Sequence, residues 1–167
     1  MMISYGHWIR FRNQTLGLVW QTDDGTGEPD EDTDCVLTDG GRVVTMSPAD
    51  GFEAVADRHG LALEKGDQEP QNLDGLDQLL ELPASEGVCA QVLNAWNLFN
   101  DIARSLGASL DDWGPEASAC YDKLFYGNNL ESITPAGEHY SPDFAHQERL
   151  TIMEILNRGR TILTAHL

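Results

Sequence analysis

The sequence predicts an α+β fold, with an N-terminal antiparallel β-sheet of about four to five strands packed against C-terminal helices. Three observations predict it. Residues 3–46 hold short runs of β-branched and aromatic side chains separated by turn residues. After Ser47 the spacing of apolar residues lengthens to three and four, the helical period. The connections between these stretches are short, which keeps the early strands and late helices in one layered arrangement.

The elements follow in order. Ile3 to Phe11 and Leu16 to Trp20 read as a hairpin, with Asn13 and Gly17 around the break. Thr22 to Asp34 is a polar loop with too little apolar surface to pack. Cys35 to Thr38 and Arg42 to Met46 flank Asp39-Gly40-Gly41, and Asp-Gly between two β-like runs signals a second hairpin. Ser47-Pro48 supplies an N-cap and a first-turn proline for a helix carrying Phe52, Val55 and Ala56, which Gly60 stops. Leu61 to Leu63 reads as a short strand and Gly66 to Gln71 as a polar linker. Asn72 is expected to cap a helix with Leu73, Leu76, Leu79 and Leu80 inward, ending before Pro83.

Ser85 is expected to cap the longest helix, Glu86 to Leu106, with Gly107 after it. Its stripe of Cys89, Val92, Trp96, Phe99, Ala103 and Leu106, widened by Val88, Ala95 and Ile102, predicts burial over a broad face. Pro115 starts a further helix, which Gly127 stops, and Asn128 to Tyr140 reads as an irregular loop. Ser141-Pro142 repeats the cap-plus-proline start. The last helix carries Phe144, Ile152, Met153, Ile155 and Leu156, with a kink expected at Gly159. No internal repeat is visible. Residues 1–167 are expected to form one domain, β-rich over 1–65 and helical over 72–167, since a split at Gly66 to Gln71 leaves two small pieces with poor cores.

Charge is the outstanding compositional feature. The chain carries 28 carboxylates against 10 cations, a formal charge of -18. Between Gln21 and Glu86 stand eighteen carboxylates and three cations. Such density repels itself. It argues against binding nucleic acid through phosphates and against anionic membrane surfaces. It favours a basic partner, or plain solubility or salt adaptation, to which the two lysines also point. Met1 to Trp20 lacks the apolar run of a secretory signal. The charge-free stretch Gly87 to Asn100 is shorter than the ~20 residues a membrane span needs. Cys35, Cys89 and Cys120 are odd in number and form no CxxC, which suits a reducing, cytoplasmic compartment.

Motifs for chemistry are weak. Asp30, Asp32 and Asp34 alternate as in a calcium-binding EF-hand loop, but the sixth position is Cys35 and the twelfth Gly41, so the pattern fails. His139 and His146, with Glu138 and Asp143 nearby, lack the spacing of a zinc site. Cys120, a histidine and Asp143 make a nucleophilic set on paper, but Cys120 falls on an apolar helix face. No metal, cofactor or catalytic residue is therefore expected. Asn94, Asn97, Asp101 and Arg104 form one polar stripe on the long helix. It reads as a solvated face or as anchors for the Asn128-Asn129 loop, ahead of a partner surface. Trp96 is expected in the core, while Trp8, Trp20 and Trp113 are open to either reading.

The leading functional expectation is a non-enzymatic binding protein that meets a basic protein partner through carboxylates, because opposite charge steers encounter. In general character, small, strongly acidic and without catalytic motifs, the chain resembles bacterial immunity proteins and antitoxins. That implies a basic toxin, a nuclease among the candidates, as partner. No motif carries a site residue across. Candidate contact residues are Asp23, Asp24, Asp30, Glu31, Asp32 and Asp34, then Asp74, Asp77 and Glu81. The alternative is a small-ligand protein or enzyme with a site between sheet and helices, using Tyr121, Asp122, His139, Tyr140 and His146. A third reading is a salt-adapted domain with no use for its charge. Oligomeric state leaves no sequence signal.

Overall fold

The N-terminal hairpin forms as the sequence predicts. The computed structural model describes residues 2–23, 34–66, 69–110 and 114–167. Strand β1 (Met2–Phe11) pairs antiparallel with β2 (Gln14–Asp23), from Met2 opposite Asp23 to Phe11 opposite Gln14. The turn is Arg12-Asn13, with φ of 52° and 59°. Two positive φ values in a two-residue loop mark a type I′ turn, whose twist matches that of the strands. Gly17 lies within β2 rather than in the turn.

The chain divides into two compact units. One comprises Met1–Asp74, Asp101–Ala108 and Ile162–Leu167; the other comprises Gly75–Asn100 and Ser109–Thr161.

In the first unit the sheet order is β3-β2-β1-β6, with β3 at Cys35–Val36 and β6 at Leu63–Glu64. A further strand, β7 (Gln71–Asn72), pairs with β1 beside Ile9 and Arg10. Strand β2 runs antiparallel to both β1 and β3, but β6 and β7 run parallel to β1. The sheet is therefore mixed, which corrects the expected antiparallel one. Helix α1 (Glu53–His59) lies in the connection that precedes β6, and a long crossover of this kind is what parallel pairing requires. The second hairpin forms as a separate two-stranded ribbon, β4 (Thr38–Asp39) with β5 (Arg42–Val43). Its turn residues are Gly40 and Gly41, at φ 57° and 77°, and Asp39 stays in the strand.

Helix α1 starts at Glu53, well after Ser47. Ser47 and Pro48 instead form a turn, in which the Ser47 carbonyl accepts from the Asp50 and Gly51 amides. Gly51, at φ 65°, separates that turn from the helix. Gly60 ends α1 in the left-handed conformation, as expected. Phe52 closes the small core of Val19, Met46 and Val55. Its ring covers both Gly6 and Gly17: a Cβ on either would lie within 2.9 Å of it. The same ring packs at 4.7 Å from that of Trp8.

The second unit is helical. Helix α2 spans Leu76–Glu81 and α4 spans Pro115–Gly127. Residues 86–100 of α3 (Glu86–Ser105) and residues 146–161 of α5 (His146–Ala165) belong to it. Asn72 does not cap α2. It lies in β7, and its side chain accepts from the Asp74 amide. Ser85 does cap α3, accepting from the Val88 amide. The broad buried face of α3 is present: Cys89, Val92, Ala95, Trp96 and Ile102 have no exposure. Helix α4 begins with Pro115 at its first turn, as expected, and runs through Gly127. Ser141-Pro142 lies ahead of α5, which starts at His146, where Glu148 reaches back to accept from the Ala145 amide. Gly159 sits inside α5, where a Cβ would lie 2.3 Å from Phe99 Cγ. Close approach, rather than a helix break, is what requires that glycine. No helix among the described residues is long and apolar enough to cross a membrane.

Candidate functional site

The carboxylates are shared between the units. The first holds sixteen against six cations and the second twelve against four. The dense run of acid in residues 21–86 is thus matched by acids the second unit gathers from later in the chain.

Asp24, Asp30, Glu31 and Asp32 lie outside the described residues, as does Trp113. Asp23 ends β2, and its amide donates to the Asp34 carboxylate at 3.2 Å. Asp74 accepts from the Arg12 amide at 2.7 Å and the Asn13 amide at 3.0 Å, one with each oxygen. It is the anchor of the first hairpin turn. Asp77 pairs with Arg160 at 3.0 Å. Glu81 is exposed at the end of α2. The carboxylates of Asp34, Asp74 and Asp77 therefore have structural duties, toward partners remote in sequence.

The polar stripe of α3 is divided: Asn94 is exposed, Asn97 and Arg104 are half-buried, and Asp101 turns inward. Asp101 is 3 % exposed and accepts from Trp20 Nε1 at 2.8 Å and from Arg104 at 2.6 Å. Asn97 accepts from the Tyr121 hydroxyl at 2.9 Å. The Asn128-Asn129 loop is held instead by its own amides, with Asn128 donating to the Leu124 carbonyl.

That loop builds a concavity in the second unit. Gly127 is the last residue of α4, and a Cβ there would lie 2.6 Å from Cys89 Sγ. Asn129, at φ 49°, turns the chain. Its side chain accepts from the Tyr140 amide at 2.7 Å and donates to the Tyr140 carbonyl at 2.8 Å. This double clamp closes the loop from Asn129 to Tyr140, which internal turns at Leu130 and Pro135 wind up further. The result is a cleft of about 400 Å³ lined by Tyr126, Ile133, Thr134, Pro135, Glu138, His139 and Tyr140. Tyr126, Ile133 and Tyr140 are 53 %, 40 % and 42 % exposed. His139 Nδ1 stands 3.1 Å from a Glu86 carboxylate oxygen.

Of the residues in the alternative reading, His139 and Tyr140 line this cleft and Tyr121, Asp122 and His146 do not. Tyr121 is tied to Asn97 and packs edge-on against Trp96 at 5.3 Å. His146 is exposed at the first residue of α5. Cys120 is buried, with its thiol directed to the Glu148 carbonyl. Burial pushes that thiol's pKa up, and the Glu148 charge adds to the effect. A thiol held protonated in this way is a poor nucleophile. Burial raises Cys35 and Cys89 likewise. Among the described residues no three His, Cys, Asp or Glu side chains are grouped to hold a metal ion. A second, more polar cleft of about 460 Å³ lies by the start of α4, with Glu116, Gln147, Glu154 and Arg158 in its lining.

Sequence reasoning missed Tyr126, Ile133 and Pro135, and weighed Glu138 only beside His139 as a metal ligand. The available signal was an irregular loop that keeps large apolar residues without a period that would bury them. Comparison with protein-family models, with curated proteins and with solved structures finds no match to this chain.

Proposed function

We propose that this chain is a non-catalytic, cytoplasmic binding protein that engages a basic protein, in the manner of an immunity protein or antitoxin that neutralises a toxin. One observation carries the reading. The chain has 28 carboxylates and 10 cations, so even with every cation paired one to one, eighteen carboxylates stay unmatched. The excess is present in both units. Acid of this density attracts a cationic surface and speeds encounter with it. A nuclease keeps such a surface for phosphates, so its substrate cleft suits a carboxylate-rich inhibitor. Glu81 remains a contact candidate among the described acids, and Asp74 and Asp77 would act in addition to their structural duties. All three cysteines are free, which supports a reducing compartment.

The test is reconstitution. A basic protein that co-purifies from the source cell at about 50 mM salt should bind the purified chain, and affinity should fall at least about tenfold at about 300 mM. If that partner degrades nucleic acid, binding should inhibit it. A partner that is neutral, or a complex indifferent to salt, overturns the reading. A small-ligand role at the 126–140 cleft is the second reading, favoured by His139 and Tyr140 in one lining. A ligand that binds there equally well at both salt concentrations would select it.

A further inference from the structure

We propose that the 126–140 cleft is a subsite for an arginine side chain of the basic partner, an inference that rests on the binding-protein reading above. Three features of the cleft point to that occupant.

The first is its aromatic lining. Tyr126 and Tyr140 present large, exposed ring surface to one cavity. A guanidinium is flat and weakly hydrated, so it stacks on such rings while its N–H groups still reach hydrogen-bond acceptors. The second is charge. Glu138 lines the cleft, and Glu86 sits against His139 at its edge. Among the described residues, no lysine or arginine is in the lining. Lys123 acts on Tyr140 electrostatically from outside the lining, and its ammonium is neutralised by Glu148 while it also bonds the Asp143 carbonyl and lies over the Phe144 ring. The third is rigidity. The Asn129 clamp on the Tyr140 backbone holds the loop before any partner arrives, so little ordering remains to oppose binding. A volume of about 400 Å³ fits one or two side chains rather than a folded element. Tyrosine and arginine are also the residues that most often anchor protein interfaces.

The test needs no partner protein. The full ¹⁵N-labelled chain is titrated with acetyl-Leu-Arg-Leu-amide and, separately, with acetyl-Leu-Gln-Leu-amide. Saturable shifts are expected at the amides of Tyr126, Ile133, Glu138, His139 and Tyr140 with the arginine peptide, with affinity about tenfold above that of the glutamine peptide. Tyr140→Ala should weaken binding about fivefold while sparing the clamp, which uses only the Tyr140 backbone. Glu138→Gln, which changes charge and not shape, should do the same and also flatten the salt dependence. Asp39→Asn, in the first unit, should leave the affinity unchanged. Equal binding of the two peptides, or shifts scattered away from the cleft, overturns the arginine subsite. That outcome still leaves a salt-sensitive complex with a basic partner intact, so the two proposals fail separately. Loss of the salt-sensitive complex with the cleft still selecting arginine would overturn the broader reading instead.

Discussion

The two units bring distant parts of the chain together by different means. In the first, polar groups make the long-range links. Asp101 receives the Trp20 indole, Ser105 receives the Val36 amide, the His166 carbonyl receives the Val43 amide, and Asp74 holds the Arg12-Asn13 turn. In the second, polar links such as Asp77 to Arg160 and Tyr121 to Asn97 stand beside close apolar packing. Phe99 lies against Gly159, Cys89 against Gly127, and Trp96 against Tyr121. A sheet with two-residue outer strands leaves backbone amides that side chains must satisfy. Helices satisfy their own backbone, so their packing is limited by volume. The lesson for the acids is that a carboxylate's duty follows from which unit it enters and what stands opposite it.

Breaking these links should rank them by how buried each one is, across both units. Asp101→Ala removes a nearly buried carboxylate and strands the Trp20 donor, so unfolding in urea should show a loss of about 3 kcal/mol. Gly159→Ala forces a methyl against Phe99 Cγ, with about 2 kcal/mol lost and the Phe99→Ala background, which removes Cγ and the ring, relieving part of that added loss. Asp74→Ala leaves two turn amides to water at a cost of about 1 kcal/mol, whereas Asp77→Ala, at an exposed ion pair, should change stability by less than about 0.5 kcal/mol. Equal losses at Asp74 and Asp77 would break the distinction between an acid that holds backbone amides and one that makes an exposed ion pair.

The smallest effect is a pH dependence. Lys123 and the Ala145 amide hold the Glu148 pKa below its ordinary 4.5. A lowered folded pKa contributes stability that is present above pH 4.5 and is lost as pH falls through the folded value. Lys123 is raised above 10.5 by the same partner, so its share persists to higher pH and is lost only above that. Thermal unfolding of Lys123→Met should therefore show a shallower acid limb than the parent below about pH 4.5, with the variant below the parent by a constant margin between about pH 6 and 8 and the two converging as Glu148 is protonated. An identical acid limb in the variant would remove this pair from the account.

Much of the fold was legible because its cues are local. The first hairpin, the Asp39-Gly40-Gly41 turn, the Gly60 stop, the Ser85 cap and the α3 stripe all depend on residues within a few positions of one another. Three errors share a cause. Ser47-Pro48 and Ser141-Pro142 resemble helix starts, but Gly51 interrupts the first and the run to Ala145 stays outside the second. Asn72 resembles a cap, but β1 recruits it as a strand. In each, a short-range preference of about 1 kcal/mol is outweighed by the conformation that the surrounding residues take up. The candidate site was less legible. Of the cleft, only Glu138, His139 and Tyr140 were named as candidates from sequence, because irregular loops have no period to show which side chains converge.

By itself the sequence determined the charge, the turns, most helix ends and the α+β class, since these arise from composition and from neighbours along the chain. The tertiary structure alone decided the parallel pairing of β6 and β7 with β1, the use of Asp74 and Asp101 as acceptors for distant donors, and the gathering of Tyr126, Glu138 and Tyr140 around one cleft. Those depend on contacts between residues far apart in sequence, which no local preference encodes.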